Sequence, residues 1–497
     1  MTTNMPEFSS TISAKMAYGA ASAILIVAAL AYFALRGNLP FMPERSFTTC
    51  ADCNLIMISL SNVGANHMSM YGYERMTTPR LDAWAKDAVV FNNMFVTSSW
   101  TLPVATSLFT GLYPYSHEVL DRGRDGASLK ANLETLPEML RDRGYRTAAF
   151  TGGLDYSLKN PHMKGFEIVD EARTEGPADL ISGTKEFSST LQKALGWIKK
   201  NSGDKFFLFL HGYNAHCPFV PSEDFRGTFS GELTDKVSIN PAYCYRGYET
   251  SDDGKTVVNF RRLDREVENV KDLRVVPWEQ ATLSAEDIEF LKDSYDETII
   301  WVDELIGDFL DSLDPSIADK TIVVIFSDHG EMFARGGRFG RAGAIRGTFY
   351  DDVLHVPLMV KAPNLPPGRV DGLVQIIDVM PTLLDMLGIA DISVRQGKNL
   401  EPIIFGEKTL NEYVFAGSDF NFSEHTAPYT TKSSSESIRN TVWKLIREAD
   451  LSSVTRELYN LKNDPGEMKN VIAEYPDVAD ELTNKLNEWN AYVKNFR

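Results

Sequence analysis

Cysteine is scarce in this chain, and the spacing of the four that occur excludes the common reasons for clustering them. Cys50-Ala-Asp-Cys53 is followed by Asn54 rather than His, so it is not a haem-attachment site. A zinc knuckle needs a second close pair, and Cys217 and Cys244 do not provide one. The four are read as two disulfides or as free thiols, and a Cys50–Cys53 bridge requires an oxidising compartment. Basic charge is also in deficit: 50 Lys and Arg against 68 Asp and Glu leave a net charge of -18. A field of that sign repels nucleic acid and anionic headgroups, so nucleic acid is excluded as a partner, and an anionic ligand needs a local basic pocket. The chain has no internal repeat, and Ser433-Ser-Ser-Glu-Ser437 is only a short polar loop.

Residues 16–35 carry no charge and are bounded by Lys15 and Arg36. Twenty residues at helical rise cross the roughly 30 Å hydrocarbon core, which gives a single membrane-spanning anchor over 16–36 after a tail of 1–15. A signal peptide would have a shorter apolar region and then a small-residue cleavage site, which Leu35-Arg-Gly-Asn38 is not. The anchor predicts protein partners in the membrane. Flanking charge is too balanced to orient it.

Beyond a linker at 37–53, short apolar runs alternate with helical patterns. Strands are expected at 55–60, 147–151, 206–211, 322–326 and 357–361, with helices at 78–88, 134–143, 187–200 and 284–313. Buried strands between helices imply an α/β domain over 54–395 with a mainly parallel central sheet covered on both faces. Residues 228–280 are charged and irregular and read as a surface insertion, either solvated or partner-binding. From 396 to 497 the pattern changes to a small C-terminal α+β subdomain ending in a helix at 478–489.

In a parallel sheet the chemistry sits beyond the carboxyl ends of the strands. Three such ends carry polar groups: Ser61 and Asn62, His211, and Asp328 with His329. The Asp-His pair has the form of half a metal site. The first strand offers a hydroxyl and an amide where a carboxylate would complete it. In Trp100-Thr-Leu-Pro103, the proline suits a first helical turn, which puts the Thr101 hydroxyl at the positive end of a helix dipole, either as a nucleophile or as a plain N-cap.

Asn54-Leu-Ile-Met-Ile-Ser-Leu60, His67-Met-Ser-Met-Tyr-Gly-Tyr73, Thr77-Thr-Pro-Arg-Leu-Asp82, Thr101-Leu-Pro103 with Ser107-Leu-Phe-Thr-Gly-Leu-Tyr-Pro114, Ser327-Asp-His-Gly-Glu331 and Glu457-Leu-Tyr-Asn-Leu461 through Glu467 occur in one order. Together they resemble the sulfatase family of the alkaline phosphatase superfamily, over about Asn54 to Trp489. The resemblance implies hydrolysis of sulfate, phosphate or phosphonate esters, with one or two divalent metals and a nucleophile heading a helix. It places the nucleophile at Thr101 and the metal ligands at Asp328, His329, Asn62 and Ser61. It further implies that His216 contacts the substrate anion or leaving group, that Arg346 lies near that anion, and that His117, after the nucleophile helix where the family often has His-Gly, is a further catalytic candidate. It puts the globular part outside the cytoplasm, on the periplasmic side of a bacterial inner membrane.

The departures from the pattern point two ways: threonine at the nucleophile position suits phosphate-type chemistry, whereas the loss of charge at the metal position weighs against catalysis. Formylglycine is excluded, because Thr101 stands where Cys or Ser is required and Ala105 where Arg is. Ser61 removes a carboxylate and Asn66 a further charge from the metal loop. A hard cation, Ca²⁺ or Mg²⁺ ahead of Zn²⁺ or Mn²⁺, is left with one carboxylate among neutral donors, so a metal-free site is the alternative. An Asp328–Arg346 pair is then expected in the former metal position. The reading is a membrane-anchored, catalytically degenerate sulfatase-like protein acting as a binding or structural component. The competing reading is an active hydrolase or transferase of a small anionic ester, with Thr101 as nucleophile.

Overall fold

Short, mainly apolar runs without charge build the centre of the fold, as expected of strands covered on both faces. The computed structural model describes residues 49–496 apart from 121–128, 130–132, 153–154, 172–185, 232, 234–235, 241–242, 251–255, 261–278, 336–337, 341–347, 392 and 423–430. Its main sheet contains β1 (Asn54–Ser59), β2 (Val89–Phe91), β3 (Arg146–Thr151), β4 (Ile168–Glu171), β5 (Phe206–His211), β6 (Thr321–Phe326), β7 (Leu358–Lys361) and β8 (Gly368–Val370). Their order is β8-β2-β7-β6-β1-β5-β3-β4. β1 pairs in parallel with β6 and β5, so the ends of all three open on one edge. The sheet is mixed rather than wholly parallel, since β7 runs antiparallel to both its neighbours.

Successive side chains of a strand point to opposite faces, and both faces here are covered. Leu55 and Met57 of β1 join the core layer that contains Leu102, Leu108 and Phe109 of helix α1 (Thr101–Thr110). Ile56 and Ile58 join the opposite layer. That layer takes Leu191 and Ala194 from α2 (Glu186–Lys200), together with Leu291, Tyr295, Ile299, Val302, Ile306 and Phe309 from α3 (Ala285–Asp311). The recurrence at three and four residues along α3 is one helical stripe. A capping box of Ser284 and Asp287 fixes its start.

Residues 47–497 form one compact unit. The C-terminal part adds an antiparallel sheet of β9 (Val414–Phe422), β10 (Thr431–Arg439), β11 (Trp443–Asp450) and β12 (Val454–Asn460). With helices α4 (Val379–Met386) and α5 (Pro476–Lys494), it packs into the same core layer as α1, through Leu445, Leu458 and Trp489. The stretch expected to be irregular, 228–280, supplies two strands and the start of a third to an antiparallel sheet, Arg246–Thr250, Thr256–Phe260 and Glu279–Leu283. Its charged composition masked the alternation that buries Val258 and Leu283 in the α3 layer. Both cysteine pairs are bridged, Cys50 to Cys53 and Cys217 to Cys244. Among the described residues no helix is long and apolar enough to cross a membrane. The expected anchor at 16–36 lies outside them.

Candidate functional site

β1 ends in a sharp corner. Ser61 and Asn62 both adopt left-handed backbone, with φ of 50° and 58°. Asn tolerates this region and Ser does so less readily, so two such residues in a row store strain that the surroundings must hold. The Asn62 N–H donates to Asp328 Oδ1 at 3.1 Å, and the Val63 N–H donates to Ser327 Oγ at 2.9 Å, which fastens the corner to the end of β6. From α3, the Tyr295 hydroxyl donates to the Asn62 carbonyl at 2.6 Å and accepts from the Gly64 N–H at 3.1 Å.

The Asn62 amide is oriented by its nitrogen, which donates to Ala215 O and to Glu331 Oε2, both at 2.9 Å. Its Oδ1 and the Ser61 hydroxyl are buried without a hydrogen-bond partner among the described residues. Glu331 was passed over as a site residue in the sequence, although it closes the Asp-His-Gly-Glu motif. His211 was noted only as a strand end, yet its Nε2 lies 3.9 Å from Asp328 Oδ2. Its Nδ1–H donates to the Gly152 carbonyl at 2.8 Å.

Thr101 is the first residue of α1, and the N-cap position belongs to Trp100, so the plain capping role is excluded. Its Oγ1 lies 3.4 Å from His329 Nε2. Because the His329 Nδ1–H donates to the Gly330 carbonyl at 3.1 Å, a neutral imidazole presents its Nε2 lone pair to the Thr101 hydroxyl. The same Nε2 is 3.7 Å from Asp328 Oδ1. Thr101, Asp328, His329 and Asn62 are thus brought together. His216 stacks on Tyr213 with ring centroids 4.3 Å apart, and it lines a small pocket with Glu331, Phe219, Tyr245 and Phe339. His117 is placed differently from the expectation. Its Nε2 meets Pro103 O at 3.2 Å and Ser107 Oγ at 3.1 Å, and its Nδ1 accepts from the Val119 N–H, so it braces α1 from behind. Arg346, and with it the expected pair to Asp328, lies outside the described residues.

The His67-to-Tyr73 motif is structural. His67 Nδ1 and the Tyr73 hydroxyl both reach Asp296 of α3, at 2.7 and 2.6 Å, and Arg75 joins the same carboxylate. The Arg80 and Leu81 N–H groups end on Asp303, also of α3, each at 2.8 Å. Burial raises the Asp303 carboxyl to about 7, and these two donors offset only part of that.

The family model for sulfatases matches residues 53–389. The chain belongs to the sulfatase family. A second model, N-sulphoglucosamine sulphohydrolase, C-terminal, matches residues 346–492. Arylsulfatase K of Xenopus laevis is 24% identical over 453 residues, which cover 84% of this chain and 79% of that protein. N-acetylglucosamine-6-O-sulfatase of Bacteroides thetaiotaomicron is 23% identical, over 88% of this chain and 86% of that one. Among solved structures, phosphonate monoester hydrolase of Agrobacterium radiobacter superimposes with a TM-score of 0.67 at 20% identity, covering 89% of this chain and 96% of that one. That likeness shows a common fold.

Sulfatases typically use a divalent metal, and the donors of this sulfatase-family chain can be tested against one. The unpartnered oxygens of Ser61 and Asn62 have the right chemistry for a hard cation. The charge is wrong. Asp328 is the one carboxylate among the expected ligands, and Glu331 accepts from the Asn62 amide nitrogen at 2.9 Å. Among the described residues no group of three or more His, Cys, Asp or Glu side chains is arranged to hold a metal ion. These residues do not fit a tightly held divalent cation.

Proposed function

We propose that this sulfatase-family protein binds a sulfate- or phosphate-type anion in the cleft headed by Thr101 without metal-assisted hydrolysis, as a membrane-tethered binding component. The reading rests on the Ser61 hydroxyl, buried and unpartnered where a metal site needs a carboxylate. Without a bound cation, a threonine hydroxyl is a poor nucleophile. Binding of an anion retains support from the N-terminus of α1. Thr101 also leaves no residue convertible to formylglycine at that position. The uncharged run at 16–35 supports tethering, and the two disulfides support a globular part outside the cytoplasm.

One observation favours the alternative. The Thr101 hydroxyl faces a histidine lone pair, as in a nucleophile paired with a base, so a slow hydrolase remains the second reading. Calorimetry with inorganic sulfate and phosphate in the presence of chelator, run beside assays on aryl sulfate and aryl phosphate esters, tests the two. Saturable anion binding with no turnover is expected. Turnover abolished by Thr101→Ala establishes the alternative.

A further inference from the structure

The consecutive acidic residues Asp351 and Asp352 face two different parts of the molecule. Asp351 points at the C-terminal sheet. Its Oδ1 accepts from Lys444 Nζ of β11 at 2.7 Å, its Oδ2 from Arg439 of β10 at 2.8 Å, and its own N–H donates to Glu467 Oε2 at 2.7 Å. Lys444 closes the ring with a second contact to Glu467, at 2.8 Å, and the side chains of Lys444 and Glu467 are completely buried. Burial pushes the Asp351 carboxyl upward, but Arg439 and Lys444 outweigh it and hold the group well below the usual carboxylate range. Burial raises Glu467 to about 7, and Lys444 offsets only part of that.

Asp352 turns its side chain to Arg335 and Asn66 and its backbone carbonyl to the segment that follows His329. It takes two hydrogen bonds from Arg335, at 2.6 and 2.7 Å, and one from Asn66 of the loop after β1 at 3.2 Å. Its backbone carbonyl lies against Gly330, the residue after His329, so closely that a Cβ there would come within 2.1 Å of the oxygen. The Gly330 N–H donates to the Val353 carbonyl at 2.8 Å. Independently, the Gly417 N–H of β9 donates to the Thr97 carbonyl at 3.0 Å, on the loop that enters α1. The C-terminal sheet thus grips both segments that carry the Thr101 and His329 pair.

We propose that Asp351 and Asp352 are positioning residues through which Lys444 and Glu467 of the C-terminal part set the seat of His329. The tie does not depend on whether the site binds metal or cleaves an ester. It gives the C-terminal part a way to tighten or loosen the site, because the backbone anchored by Asp351 continues directly into the Asp352 carbonyl and Val353 carbonyl that hold Gly330.

The test is amide hydrogen exchange on the full-length protein, wild type beside Lys444→Met and Asp351→Asn, resolved at Gly330 and Val353 and at the β1 amides. In either variant, exchange at Gly330 is expected to rise about tenfold or more while β1 is unchanged, which separates local release from global unfolding. Should Lys444→Met fail to fold, Asp351→Asn decides, since the neutral amide keeps the shape of the side chain. Acceleration confined to β10 and β11, with Gly330 unchanged, overturns the proposal and leaves the cluster as packing. The readout needs no ligand, so failure of the anion-binding reading does not affect it.

Discussion

His162 shows how one buried side chain sets an acid limit on the fold. It lies between Phe109, stacked at 6.2 Å, and Tyr156, and its Nδ1 is 3.3 Å from Thr106 Oγ1 of α1. Burial lowers its pKa from 6.5 to about 4, with Asp155 offsetting only part. Between those values the unfolded chain takes up a proton that the folded chain refuses, so stability is lost as pH falls from 6.5 towards 4. Denaturant midpoints measured across that range are expected to fall for the wild type and to fall less steeply for His162→Gln. At the same scale the proposed anion-binding role rests on Ser61. Its left-handed backbone also accommodates aspartate, so Ser61→Asp restores the missing charge without changing the corner.

At the scale of elements, the corner after β1 is held from outside, by α3. Tyr295 satisfies the Asn62 carbonyl and the Gly64 N–H with one hydroxyl. Tyr295→Phe leaves both without this partner and is expected to cost about 1–3 kcal/mol in denaturant unfolding. The sequence announced α3 clearly, because Leu291, Tyr295, Ile299, Val302 and Ile306 make one stripe, and β1, β5 and β6 are uninterrupted apolar runs. It also placed Asn62 and Asp328-His329 at strand ends and Thr101 at the head of a helix. What it concealed were partners distant in the chain. Glu331 and His211 gain their meaning from contacts with Asn62 and Asp328 across the sheet, and no local pattern marks such contacts. The brace from His117 to Pro103 was equally hidden, since a histidine beside a nucleophile helix reads the same whether it faces the cleft or the helix. The sheet within 228–280 was lost among charges because its apolar alternation covers only a few residues per strand.

At the scale of the whole molecule, two disulfides bind the chain at different ranges. Cys217–Cys244 closes a separation of 27 residues beside the His216 pocket, while Cys50–Cys53 closes only 3. Loop closure then gives the first pair about 3–4 kcal/mol of stabilisation. A thiol titration on the denatured protein is expected to find none before reduction and four after it, and the thermal transition is expected to drop on reduction. The central claim is that a sulfatase-family fold here presents an anion cleft whose metal site lacks the charge to fill. It is tested most directly by elemental analysis of the purified protein after dialysis against Ca²⁺, Mg²⁺, Mn²⁺ or Zn²⁺, wild type beside Ser61→Asp. The account predicts well under one equivalent of metal in the wild type and about one in the variant. About one equivalent of divalent metal retained by the wild type would contradict it.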